Sequence, residues 1–103
     1  ISHGDRKRLE FGMVLATRPR LLLLDEPTAG MGLAERGALM EMMMRHVAAR
    51  GITLLFVEHD IDIVFRFADL ITVMARGRTF AEGTPAEIAA DRAVQDAYLG
   101  ARH

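Results

Sequence analysis

Asp25 and Glu26 stand side by side at the end of the apolar run Leu21–Leu24, and Pro27 follows them. An acidic pair placed there suits a magnesium ion and a water nucleophile. Magnesium keeps several waters and takes few carboxylates, so one carboxylate can hold it while the other orients a water. The same residues also fit a helix start, with Asp25 as the cap and Pro27 near the first helical position. Glu58-His59-Asp60 follows a second apolar run. A neutral imidazole there can donate from one nitrogen and accept at the other. The bland reading of His59 is a hydrogen-bonded cap on the next helix. Ser2-His3-Gly4-Asp5 precedes a helix-like stretch.

These groups need elements to position them. Leu21–Leu24 reads as a short buried strand, and Pro27 stops it for want of an N–H. Ile52–Val57 reads as a second buried strand, with β-branched residues. In open α/β sheets, ligands bind outside the carboxyl ends of the strands, where both motifs fall. Arg6–Thr17 reads as a helix with Leu9, Met13 and Ala16 at helical spacing, Phe11, Val14 and Leu15 widening the apolar face, and Ser2-x-x-Asp5 as its capping box. Thr28–Leu33 reads as a glycine-containing loop. Ala34–Arg50 reads as a helix with Arg36, Met40, Met43 and Val47 on one stripe and Gly51 as its stop. Such a methionine cluster is core or a sticky partner surface. Asp60–Ala68 reads as a helix with Ile61, Val64, Phe65 and Ala68 facing inward. Leu70–Met74 and Thr79–Glu82 read as a hairpin across the Ala75–Arg78 turn. Thr84-Pro85-Ala86-Glu87 is a capping box with proline at the first helical position, opening a helix through Ala90. Arg92–Leu99 reads as a last helix and Gly100–His103 as a frayed end. Strands alternating with helices give an α/β class with parallel strands.

Length and composition narrow the options. The 103 residues allow one modest core, and half of them are apolar. The net charge of -1 offers no basic footprint for nucleic acid. Without cysteine there is neither a disulfide nor cysteine-ligated zinc. No apolar run approaches the ~18 residues of a membrane span. His46 and His103 carry no signal beyond surface positions.

Taken together, the motifs resemble the second half of an ABC-type ATPase, the nucleotide-binding domain of ABC transporters. Ile1–Asp5 resembles the signature loop, Leu21–Glu26 the Walker B strand and Ala29–Gly32 the D-loop, while His59 sits at the switch histidine. The resemblance covers essentially residues 1–103. It implies the C-terminal part of a P-loop NTPase fold, with a small hairpin and short helices at its end. The sequence opens inside a motif and contains no Gly-x-x-x-x-Gly-Lys-Ser/Thr. The expectation is therefore a partial domain without Walker A and Q-loop, inactive by itself.

For the intact protein the resemblance implies ATP as substrate, Mg2+ at Asp25, Glu26 as the general base and His59 as the γ-phosphate switch. Ser2 and Gly4 would cap the γ-phosphate held by a partner subunit, since a helix N-terminus favours an anion. Three positions depart from the family pattern. His3 replaces a glycine and is expected to be solvated, Asp5 replaces glutamine, and Gly32 stands at the usual D-loop aspartate. Arg6, Lys7 and Arg8 fit either a solvated face or a phosphate-steering patch. Ala81-Glu82-Gly83-Thr84-Pro85 and Ala97-Tyr98-Leu99-Gly100 resemble the ATPases of branched-chain amino-acid importers, with urea and amide importers similar. Implied partners are a second ABC ATPase subunit and membrane permeases, on the cytoplasmic face of the inner membrane, with no nucleic acid. The competing expectation is a truncated or degenerate subunit that binds partners without hydrolysing ATP.

Overall fold

The computed structural model describes residues 2–99, so Ile1 and the predicted frayed end at 100–103 lie outside the described residues. The chain divides into two compact units, one running to Ile63 and one starting at Val64.

In the first unit, α1 spans His3–Leu15 and Ser2 is its cap, with Ser2 Oγ accepting from the Asp5 amide at 3.1 Å. The helix starts three residues before the predicted Arg6, because the serine cap acts where the chain leaves extended backbone. Only the Ser2 half of the predicted capping box is described, and the Asp5 carboxylate faces Arg8 at 3.6 Å instead. Its buried residues are Gly4 and Phe11; Phe11 belongs to the predicted apolar face, whereas Leu9 and Met13 of that face are exposed. Periodicity alone could not say which part of so wide an apolar face turns inward. Phe11 lies 6.4 Å from the His46 ring, on the next helix of the unit.

Strand β1 (Leu21–Asp25) pairs in parallel with β2 (Thr53–Val57), in the register Leu21↔Thr53 to Asp25↔Val57. Helix α2 (Leu33–Arg50) is the crossover between them, as a parallel pair requires. Leu39, Met40, Met43 and Val47 of α2 are buried, so the methionine cluster is core. Gly51 ends the helix in the left-handed region at φ 65°, which glycine adopts without a Cβ penalty. The strands are not buried on both faces, contrary to expectation. Leu22 is buried, whereas Leu21, Leu23, Leu55 and Val57 form an exposed face of the pair.

Helix α3 (Ile61–Phe67) begins directly after Asp60, and its one buried residue is Ile63, absent from the predicted inner face. In the second unit, β3 (Ile71–Ala75) and β4 (Arg78–Gly83) form an antiparallel hairpin. Arg76 and Gly77 both have positive φ, the requirement of a tight two-residue turn matched to strand twist. A register shift after Val73 leaves Phe80 unpaired, and Phe80 meets Tyr98 edge-on at 6.0 Å. Helix α4 (Pro85–Ala90) carries the full predicted capping box: Glu87 N donates to Thr84 Oγ1 and Thr84 N to Glu87 Oε1. The predicted last helix divides into α5 (Arg92–Val94), capped by Asp91, and a π-helical turn over Gln95–Leu99. Ile71, Ile88 and Val94 form this unit's core, with Val64, Phe65, Ala68, Val73 and Ala81 packed against it.

Candidate active site

The carboxyl ends of β1 and β2 lie side by side, because Asp25 is in register with Val57. Each strand then enters a loop with chemical side chains. The Glu26 amide donates to the Val57 carbonyl at 2.7 Å and extends the ladder by one bond. Glu26 itself has φ 47°, a left-handed conformation that costs a β-carbon residue on the order of 1 kcal/mol. The turn points its side chain at the other loop. His59 Nε2 lies 3.2 Å from Glu26 Oε1. An ionised carboxylate only accepts, so Nε2 carries the proton in this contact.

His59 does not cap the next helix. Asp60 does, its Oδ1 accepting from the amides of Asp62 and Ile63 at 3.1 and 3.3 Å. The other Asp60 oxygen accepts from Arg36 Nη1 at 2.6 Å, and Arg36 Nε donates to the Met31 carbonyl at 2.9 Å. Burial of Asp60 opposes its ionisation. The Arg36 hydrogen bond, the Ile63 amide, the Arg36 charge and the Asp62 amide together outweigh that burial and hold the carboxyl below its ordinary value. Glu58 completes the tripeptide. Its Oε1 accepts both from the Thr28 amide, at 2.9 Å, and from the Thr28 hydroxyl, at 2.7 Å, and Thr28 is only 2% exposed.

Asp25 and Glu26 do not start a helix: Asp25 ends β1, and α2 begins eight residues later, at Leu33, with Gly32 as an N-cap that offers no side-chain bond. The Asp25 carboxylate is exposed at that strand end. Among the described residues no three His, Asp or Glu gather into a metal cage. A lone strand-end carboxylate fits magnesium, which retains waters and takes its other ligands from phosphate. It does not fit a metal that needs several protein ligands.

The structure brings Glu26 and His59 together. It places Ser2 and Gly4 elsewhere, at the start of α1 beside the Ala29–Met31 loop, where a Cβ on Gly4 would meet Met31 Cε at 3.5 Å. The N–H groups of His3 and Gly4 face no intrahelical acceptor. His3 is exposed, but its ring is not simply solvated: Nε2 donates to the Ala29 carbonyl at 3.0 Å. Arg6 and Arg8 pair on the surface with Glu10 and Asp5 at 3.5 and 3.6 Å. Such exposed pairs contribute about 0–1 kcal/mol, so this face is solvated rather than a bare cationic patch. Thr28 and Arg36 carried no assignment in the sequence reading. The available signal was Arg36, a cation on an otherwise apolar stripe.

Residues 78–103 match the family described as Branched-chain amino acid ATP-binding cassette transporter. The chain is 37% identical over 100 residues to the high-affinity branched-chain amino acid transport ATP-binding protein BraF of Pseudomonas aeruginosa, covering 97% of this chain and 39% of BraF. It is 38% identical over 100 residues to the corresponding LivG protein of Salmonella typhimurium, with the same coverages of 97% and 39%. Among solved structures, the ADP conformation of MJ1267, an ATP-binding cassette of an ABC transporter, superposes with a TM-score of 0.83 at 33% identity over 97% of this chain and 41% of that one. The cbiO1 protein of Clostridium perfringens, part of the ABC transporter complex cbiONQ, gives a TM-score of 0.83 at 34% identity, covering 98% of this chain and 42% of that one. The chain thus spans about two fifths of the length of the relatives it matches.

Proposed function

We propose, for a chain that belongs to the ATP-binding proteins of ABC transporters, that the full-length protein hydrolyses ATP to energise import through ATP-driven dimer closure. The cargo is a branched-chain amino acid or a similar small amide, in line with the names of BraF and LivG. The observation that carries the hydrolytic reading is the 3.2 Å approach of His59 Nε2 to Glu26 Oε1 at the carboxyl ends of two parallel strands.

Glu26 takes a proton from water as the water oxygen attacks the γ-phosphorus, and the bond from that phosphorus to the ADP oxygen breaks. His59 donates Nε2–H to the Glu26 carboxylate and would contact the γ-phosphate as the switch. Asp25 would hold Mg2+, which when bound neutralises charge on the phosphates. Ser2 and Gly4 present a helix N-terminus to the ATP of a second ABC ATPase subunit. The other partners are membrane permeases, with the ATPase on the cytoplasmic face. Among the described residues no helix is long and apolar enough to cross a membrane.

Glu26→Gln in the full-length protein tests this reading. The amide keeps the shape and cannot accept the proton, so ATP should stay bound while turnover falls about a hundredfold or more. An unchanged ATPase rate would remove Glu26 from the role of general base, and no turnover by the native full-length protein would favour a subunit that binds partners without hydrolysis.

A further inference from the structure

His59 sits at the hydrolytic pair with little to hold it. Its side chain is 83% exposed, and its described contact is Glu26 alone. Glu26 is held in a left-handed backbone conformation, which persists only when the surroundings impose it. The restraint on both must therefore come from their neighbours. Glu58 is adjacent to His59, and Thr28 lies two residues beyond Glu26. They are joined by two hydrogen bonds to one carboxylate oxygen, from the Thr28 amide at 2.9 Å and its hydroxyl at 2.7 Å. On the far side of His59, Asp60 is tied to Arg36 at 2.6 Å and caps α3.

We propose that Glu58 is a positioning residue: by clamping Thr28 it sets the separation of His59 from Glu26. The proposal rests on the hydrolytic reading given above. Three consecutive side chains reach out from the loop after β2: Glu58 to Thr28 and His59 to Glu26 in the loop after β1, and Asp60 to Arg36 in the first turn of α2. The outer two are the better shielded, because Thr28 is buried and the Asp60 side chain is 16% exposed. A hydrogen bond to a charged group in such surroundings is strong and directional. The exposed central contact is weak by itself and inherits its geometry from the flanks. Without the Glu58 carboxylate, the buried Thr28 N–H and hydroxyl lose their acceptor and the loop carrying Glu26 is free to relax.

The test is steady-state ATP hydrolysis by the full-length protein. Glu58→Ala should lower kcat at least tenfold while KM for ATP stays within threefold, because phosphate binding does not use this clamp. Glu58→Gln should return kcat to within threefold of native, since the amide oxygen accepts the same two bonds. Thr28→Val keeps the side-chain shape, removes only the hydroxyl donor, and should fall between native and Glu58→Ala. A kcat for Glu58→Ala within threefold of native, or Glu58→Gln as slow as Glu58→Ala, overturns the proposal. Glu26→Gln run alongside separates the two readings. If it turns over ATP at the native rate, Glu26 is not the base and the reading on which the clamp rests fails. If it is dead while Glu58→Ala is native-like, only the clamp fails.

Discussion

At the residue scale, the decisive finding concerns His59. Its ring could have capped α3, and the structure gives that task to Asp60, whose Oδ1 takes the Asp62 and Ile63 amides. The imidazole is thereby left for Glu26. A consequence can be measured. His59→Ala should slow ATP turnover by the full-length protein about a hundredfold, within the range for losing one hydrogen-bond donor aimed at the reacting groups. It should leave the melting temperature essentially unchanged, because a side chain this exposed, held by one surface contact, contributes little to stability. A large fall in melting temperature with turnover retained would assign His59 a structural role instead. His3 shows the same principle. A ring in place of the usual glycine is held by the Ala29 carbonyl and takes space beside Gly30, where a Cβ would lie 3.5 Å from Nε2.

At the element scale, the loops after β1 and β2 act as a pair because parallel register brings their starts together. Arg36 extends the tie to the first turn of α2, bonding both the Met31 carbonyl and Asp60. Asp60 therefore carries a pH dependence of known sign. Its carboxyl is held below the ordinary 3.8, so the folded state favours the charged form. The resulting stability is complete above the unfolded value and is lost as pH falls through the lowered one. Native protein should exceed Asp60→Asn in urea midpoint by a constant margin from pH 7 to about 5, and the margin should narrow below about 4. A margin that stays flat to pH 2 would show that Asp60 is not held ionised by Arg36 and the α3 amides.

At the scale of the whole molecule, two features bear on what these 103 residues do by themselves. The sequence holds no Gly-x-x-x-x-Gly-Lys-Ser/Thr to cradle phosphates. The β1–β2 pair also exposes Leu21, Leu23, Leu55 and Val57 on one face. An apolar sheet face of this kind invites association in water. The 103-residue chain should bind ATP negligibly, and calorimetric titration showing micromolar affinity would refute that. Ser2 and Gly4, at their separate helix start, belong to the same scale, because their proposed target is a nucleotide on another subunit.

The order of elements was legible from sequence because it rests on local signals. The apolar runs of both strands, Gly51 in the left-handed stop, the Thr84–Glu87 capping box and the Arg76-Gly77 turn each act within a few residues. Asp25, Glu26 and His59 were legible as candidates for the same reason, since they follow apolar runs and so fall at the strand ends where α/β sheets bind ligands. Which part of the α1 apolar face turns inward was only partly legible: Phe11 lay on the predicted face and is buried, whereas Leu9 and Met13 lay on it and are exposed, because that face was wider than the helix can bury. Neither was the exposure of alternate strand residues, which depends on what lies over the sheet. The contacts that build the site span 24 to 33 residues of chain: Arg36 to Asp60, Thr28 to Glu58 and Glu26 to His59. Residue types and short spacings determine which groups are available for chemistry. Only the parallel register, which sets Asp25 against Val57, decided which of those groups meet.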